Sequence, residues 1–180
     1  MVYVLLGTGF EETEAIAPID LLRRAEIDVI TVGLNGKTVY GSHGIGIVAD
    51  IAPEQMELAA MDMVVLPGGL GGVASIRASE PAMNAIRYAW ENQRLVAAIC
   101  AAPTILAQLG ITDGKSAVCY PGCEDQMGSA HMRPDAPCVR DDRVITAASA
   151  GCAIPFGLAL IEALKGSEES QRIARQIVIR

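Results

Sequence analysis

Four short runs of apolar residues, each cut off by glycine, proline or cysteine, constrain this chain more than any other feature. Residues 2–6 stop at Gly7 and Gly9, residues 29–32 lead toward Gly33, residues 63–66 stop at Pro67-Gly68-Gly69, and residues 96–99 stop at Cys100. Runs this short and this uniformly apolar suit strands buried on both faces. Stretches with helical spacing lie between them. In residues 11–25, Ile16, Ile19, Leu21 and Leu22 fall on one side and Glu11, Glu12 and Arg23 fall elsewhere. Residues 80–93 form a second helix. Strand following helix from end to end predicts an α/β fold with a mostly parallel, doubly wound sheet covered on both faces. No repeat, linker or low-complexity tract divides residues 1–180, so a single domain is expected.

The remaining segments fit the same scheme. Lys37 to Asp50, with Gly41, Gly44 and Gly46 spaced through it, reads as a hairpin excursion. A helix is expected over 101–109, stopping at Gly110, and a strand over 115–119. A hairpin over 139–147 should turn at Asp141-Asp142, and two helices, 153–165 and 167–176, are parted by Gly166. Pro18 sits inside the first helix, where it ends a turn or bends the axis.

Composition removes several classes of function. The chain has 180 residues, 51% of them hydrophobic, which is enough for one well-buried core and too apolar for a disordered chain. Lys and Arg number 14 against 21 Asp and Glu, a net charge of −7, which argues against nucleic acid and anionic membrane as partners. Aromatic residues make up only 4%, too few for a base-stacking platform. No run reaches the ~18 apolar residues of a membrane span. The first strand lacks the basic flank of a signal peptide. Five cysteines, an odd number without a secretion signal, point to free thiols in a reducing cytoplasm.

Several motifs start correctly and fail. Gly7-Thr8-Gly9 opens like a dinucleotide fingerprint, but Glu12 stands where the third glycine belongs, and its carboxylate would oppose a pyrophosphate. Gly114-Lys115-Ser116 resembles the end of a P-loop in the wrong order of helix and strand, so it reads as a turn. Ala147-Ala148-Ser149-Ala150-Gly151 resembles a serine elbow without its first glycine and reads as a small-residue loop packed beside another site. Cys119, Cys123, His131 and Cys138 lack zinc-site spacing, and no metal is expected.

One motif carries chemistry. The strand 96–99 delivers Cys100 to a sharp turn at the carboxyl edge of the sheet, where open α/β folds bind ligands. A helix starting directly afterwards would aim its free N–H groups at the sulfur, favouring thiolate and offering a hold for an oxyanion. The loops at Gly7–Glu14 and at Pro67–Gly72 end at the same edge. Of Glu11, Glu12 and Glu14, at least one carboxyl should enter the crevice. Glu11 and Glu12 are better explained as acids complementing a helix N-terminus.

The runs Gly9-Phe10-Glu11-Glu12-Thr13-Glu14-Ala15-Ile16, Pro18 to Ala25, Leu66-Pro67-Gly68-Gly69 and Ala98-Ile99-Cys100-Ala101-Ala102-Pro103-Thr104 resemble the ThiJ/PfpI superfamily. The similarity is greatest to its parkinsonism-associated deglycase branch and the bacterial relatives of that branch. It extends over essentially the whole chain, down to the helix beginning near Phe156. It implies a flavodoxin-like three-layer sandwich that forms homodimers. It implies Cys100 as the reactive thiol, Glu14 as the acid hydrogen-bonded to it, and the amides of Gly69 and Ala101 on the oxyanion side. Departures from the pattern are visible. Tyr120, before Pro121, replaces a histidine near the cysteine, which leaves the general base unassigned. Ala101 replaces the histidine of the protease-like branch, and His43 stands in place of an arginine near the pocket. Ser149-Ala150-Gly151 replaces a Gly-Pro-Gly loop.

The function expected from this resemblance is glutathione-independent glyoxalase or deglycase-type chemistry on a small carbonyl such as methylglyoxal, without metal or organic cofactor. Cys100 would form a hemithioacetal and Glu14 would shuttle a proton. An oxidative-stress sensor or redox-regulated chaperone using Cys100 is the alternative. Thiazole-biosynthesis or protease-like roles rank below both. Cys119 joins Tyr120 and His43 as a pocket candidate, since the resemblance places its segment opposite Cys100 and two such thiols could pair, although a small buried residue on a strand is the favoured reading of it. Cys123, Cys138 and Cys152 have no comparable claim. The helix over 15–25 is the expected surface of a two-fold dimer.

Overall fold

The computed structural model describes residues 1–179. In chain order it contains β1 (Val2–Leu6), α1 (Glu12–Arg24), β2 (Val29–Gly33), β3 (Thr38–Tyr40), β4 (Gly46–Val48), β5 (Met63–Leu66), α2 (Leu70–Ala78), α3 (Glu80–Glu91), β6 (Leu95–Ile99) and α4 (Pro103–Gln108). These are followed by β7 (Ser116–Ala117), β8 (His131–Met132), β9 (Cys138–Asp141), β10 (Val144–Ala147), α5 (Ala153–Lys165) and α6 (Ser167–Gln176).

Six strands form the main sheet in the order β2-β1-β5-β6-β10-β9. The first five are parallel and β9 closes one edge antiparallel. Side-chain alternation along the strands separates two cores. Val2, Val4, Leu6, Met63, Val65, Ala97, Ile99, Ile145 and Ala147 pack with Ala15, Leu22, Phe156, Leu160 and Ile173, under α1, α5 and α6. Tyr3, Leu5, Val64, Leu66, Val96 and Ala98 pack with Ile76, Ile86 and Ile105, under α2, α3 and α4. The result is the three-layer, flavodoxin-like sandwich expected. The chain turns to opposite sides of β1 on reaching β2 and β5, so the carboxyl ends of β1, β5 and β6 flank the switch point where such folds hold ligands.

The helix α1 continues through Pro18. Gly157 of α5 lies against it, and a Cβ there would come within 2.6 Å of Leu21 Cδ1 and 3.2 Å of Pro18 Cα. The close approach of α1 and α5 depends on that missing side chain. Four expectations need correction. First, Leu70–Ala78 is a helix, although its glycines suggested a loop. Gly72 sits in its first turn because a Cβ would press to 2.7 Å from Phe10 Cα. Second, the helix after Cys100 begins only at Pro103 and spans six residues, so a two-residue turn separates it from the cysteine. Third, the strand expected over 115–119 shrinks to Ser116–Ala117, paired with His131–Met132 in a small separate sheet. Fourth, the hairpin over 139–147 turns at Asp142, one residue later than expected, since Asp141 still pairs with Val144.

Candidate active site

The residues of the site come from three loops. After β1 the chain passes Gly9 at φ +81 and reaches Glu11, the cap of α1, whose carboxylate accepts the Glu14 N–H at 2.8 Å. That cap fixes the first helical turn and rotates the Glu14 side chain inward, where it is 1% exposed. After β5 the Gly68 N–H donates to Glu14 Oε2 at 2.9 Å, and the Gly68 carbonyl accepts from Glu11 N–H at 3.0 Å. Gly68 faces both acids of the site. A Cβ there would lie 2.6 Å from Cys100 Cβ and would overlap Glu14 Oε2.

Cys100 follows β6 in the left-handed region at φ +66, which few non-glycine residues adopt. Backbone bonds on both sides hold it there. Its N–H donates to Ala147 O at 2.9 Å, and its carbonyl accepts from Tyr120 N–H at 2.7 Å. The conformation directs Sγ toward Glu14 and toward the N–H groups of Ala101 and Gly69. Thr104 Oγ1 donates to the Ala101 carbonyl at 2.6 Å and accepts from Arg77 Nη2 at 2.7 Å, which braces the turn from behind.

Electrostatics couple the two acids. Burial pushes Glu14 up to about 7, against the lowering hydrogen bond from Cys100, and the nearby Glu11 charge adds to the rise. Burial also pushes the Cys100 thiol up to about 12, reinforced by the Glu14 charge and hydrogen bond, while the Ala101 and Gly69 amides pull it down. The thiolate expected at Cys100 is not favoured: the short helix starting at Pro103 does not offset burial and a neighbouring carboxylate. The charge reaches sulfur only when the proton sits on Glu14, so the two groups titrate as one unit.

Above them opens a cavity of about 210 Å³, lined by Glu11, Gly69, Leu70, Cys100, Ala101, Tyr120 and Cys123. Gly69, Ala101 and Tyr120 therefore lie where expected. Two candidates do not. Cys119 is buried in a small cluster with Ala117 and Met127, behind the wall. Cys123 lines the cavity in its stead, with no local signal to set it apart from the other cysteines. His43 is exposed and turns away to Glu12, with Nδ1 3.0 Å from Oε2.

Glu12 is itself a correction, since it does more than complement a helix dipole. It is buried and accepts the backbone N–H of His43 at 2.7 Å and of Ile45 at 3.4 Å, tying α1 to the β3–β4 hairpin. Burial acts to raise its pKa, but the hydrogen bonds from His43 outweigh that and hold it at about 2. Glu11, Glu12 and His43 bring potential ligand atoms within 4.8 Å of one another, the one such group among the described residues. Glu12 Oε1 is already engaged by backbone N–H groups, and Oε2 by the Ser42 and His43 side chains. Cys119, Cys123, His131 and Cys138 do not gather.

Known proteins resemble this chain over nearly its whole length. The model of the DJ-1/PfpI family matches residues 1–163. The chain belongs to the DJ-1/PfpI family. It is 38% identical over 178 residues to protein dj-1beta of Drosophila melanogaster, covering 98% of this chain and 95% of that protein. The crystal structure of Drosophila melanogaster DJ-1beta superposes with a TM-score of 0.94, covering 99% of this chain and 97% of that one. A Caenorhabditis elegans relative, named glutathione-independent glyoxalase DJR-1.2, is 30% identical over 171 residues, covering 94% of this chain and 90% of that protein. The family thus includes a protein named for glyoxalase activity alongside DJ-1 homologues. Among the described residues no helix is long and apolar enough to cross a membrane.

Proposed function

We propose that this DJ-1/PfpI protein converts small 2-oxoaldehydes such as methylglyoxal to 2-hydroxy acids without glutathione, and acts on related carbonyl adducts by the same chemistry. The observation that carries the reading is the buried Glu14–Cys100 pair beneath the Gly69 and Ala101 amides. A proton held on Glu14 leaves the charge on sulfur. Sulfur adds to the aldehyde carbon, Glu14 gives its proton to the developing oxygen, and the amides hold that oxygen while it is charged. The Glu14 carboxylate then takes the proton from the former aldehyde carbon and returns it to the neighbouring carbon, while the hydroxyl proton passes to the neighbouring carbonyl oxygen, leaving a 2-hydroxy thioester. Water cleaves the thioester, releasing the hydroxy acid and the thiol. Tyr120 lines the cavity without completing a base, so these residues leave Glu14 as the group that moves protons. A cavity of about 210 Å³ suits a substrate of a few carbons.

Lactate formation from methylglyoxal, without glutathione, tests this. Activity in the wild type and background in Cys100→Ala supports it, and equal rates in both remove it. Wild type against Cys100→Ser across aldehydes and glycated amines separates glyoxalase from deglycase-type preference.

A second reading is favoured by the same pair: Cys100 oxidised by peroxide, with the product held by Glu14 and the amides, as in a stress sensor or redox-regulated chaperone. We also propose a homodimer through α1. The exposed apolar Ile16 and Val48 line one groove between α1 and the β3–β4 hairpin, a self-complementary surface for a second copy. A reducing cytoplasm suits the five free cysteines.

A further inference from the structure

The wall of the cavity contains a second thiol. Cys100 and Cys123 line the same space of about 210 Å³, and both are half-buried, open to small solutes. One residue joins their backbones. Tyr120 donates its N–H to the Cys100 carbonyl at 2.7 Å, and its own carbonyl accepts the Cys123 N–H at 2.9 Å. Cys123 is thus the fourth residue of a tight turn pinned to the nucleophile's peptide. Such a turn keeps Tyr120 and Cys123 within about 7 Å of each other, and a disulfide requires the Cα atoms of Cys100 and Cys123 to come within about 7 Å. Cys119, two residues after β7, is buried with Ala117 and Met127, a cluster Cys123 also packs against, and does not line the cavity.

We propose that Cys123 is a resolving thiol, which closes a disulfide onto Cys100 after peroxide oxidation and thereby shuts the carbonyl pocket reversibly. The co-reactant is a hydroperoxide. The Cys100 sulfur attacks its outer oxygen, the O–O bond breaks, and the departing alkoxide or hydroxide takes the proton from Glu14. Sulfur has lost two electrons and is a sulfenic acid. The Cys123 sulfur then displaces the hydroxyl from Cys100: an S–S bond forms, the S–O bond breaks, and the hydroxyl leaves as water with the Cys123 proton. In sum, two thiols and one hydroperoxide give one disulfide, one alcohol or water, and one water. The bond occupies the centre of the cavity and removes the nucleophile until a reductant restores it. The attack also competes with further oxidation of the sulfenic acid to the sulfinic acid, which thiols do not reverse.

The inference rests on Cys100 being oxidisable and not on carbonyl turnover. Its test is peptide mapping of the reduced full chain after two equivalents of hydrogen peroxide, with free thiols alkylated and no reductant in the digest. In the wild type we expect a Cys100–Cys123 linked peptide pair that dithiothreitol separates. In Cys123→Ser, Cys100 should instead gain two oxygens and resist dithiothreitol, while Cys119→Ser should keep the link. Cys123→Ala repeats the comparison if the serine variant folds poorly, and the wild-type map is decisive by itself. Two added oxygens on wild-type Cys100 with Cys123 still alkylatable would overturn the proposal and leave the sensor reading standing. A link from Cys100 to Cys119 would also overturn it. An unmodified Cys100 would remove both.

Discussion

Replacing Glu14 by Gln should make Cys100 a better nucleophile and a worse enzyme at once. In the wild type the first proton leaves the pair near 7 and the second near 12. A charge at about 4 Å in a medium of effective permittivity ~20 is worth about 4 kcal/mol, or about 3 on the pKa scale. Burial is the larger cause of the Cys100 rise and the Glu14 charge and hydrogen bond the smaller, so with Glu14 protonated the thiol titrates below about 12 by at most that amount. The tautomer with its charge on sulfur is then a minor share of the singly protonated pair, and that share stays constant from about pH 7 until the second proton leaves. Wild-type alkylation should rise to half its plateau near pH 7 and then flatten. Glu14→Gln removes the carboxylate and leaves one thiol whose ionisation keeps rising with pH, so its alkylation should match the wild type at about pH 7 and gain roughly tenfold on it for each pH unit above that. Lactate formation should fall by about 10²- to 10⁴-fold, because the amide cannot carry a proton between carbons. Iodoacetamide rates from pH 6 to about 10 and a lactate assay, run on the same protein, read both quantities. Superimposable alkylation profiles, or unimpaired turnover in the variant, would refute the coupled-pair argument.

Gly68→Ala should lower turnover and cost about 1–3 kcal/mol of stability, because its Cβ would press to 2.6 Å from Cys100 Cβ and push Glu14 aside; activity and denaturant melts check it. Ile16→Glu should yield monomers without loss of fold, since Ile16 is 42% exposed, whereas Ile19→Glu, at 8%, should destabilise the monomer itself; light scattering with circular dichroism separates them, and a wild-type mass near 18.9 kDa would contradict the dimer. Two carboxyls should leave opposite marks on stability against pH. Glu14 holds its proton more tightly when folded, so its contribution falls as pH rises from 4.5 to about 7, and Glu14→Gln should flatten that limb. Glu12 releases its proton more readily when folded, so its contribution is complete above 4.5 and is lost as pH falls to about 2, and Glu12→Gln should flatten the acid limb.

The layers of this fold were legible because the strands are buried on both faces and stop abruptly. The 63–66 strand and the 153–165 and 167–176 helices match the observed bounds, and Gly166, at φ +88, separates the two helices as a residue free to enter that region should. The α2 helix was illegible for a tertiary reason. Gly71 and Gly72 weaken a helix by propensity, yet both are needed where α2 meets the first loop: a Cβ at Gly71 would stand 3.0 Å from Gly9 Cα, and one at Gly72 would stand 2.7 Å from Phe10 Cα. Helical spacing says nothing of a loop sixty residues away.

The same distinction runs through the site. Cys100 could be found because its position is local: an apolar strand ends and the chain turns at once. The roles of the three acids could not be sorted locally, since all stand at the start of one helix. Glu11 caps, Glu14 turns to the sheet edge, and Glu12 is covered by a hairpin whose residues follow about thirty positions later. Cys119 and Cys123 depend in the same way on where a strand ends. Had β7 continued to residue 119, alternation alone would have decided which side Cys119 faced. It stops at Ala117, the Thr146 hydroxyl accepts the Val118 N–H at 2.9 Å, and the turn from Tyr120 to Cys123 then swings the later cysteine into the cavity. The hydrogen bond from Tyr120 to the Cys100 carbonyl, twenty residues apart in sequence, makes Cys123 a neighbour of the nucleophile.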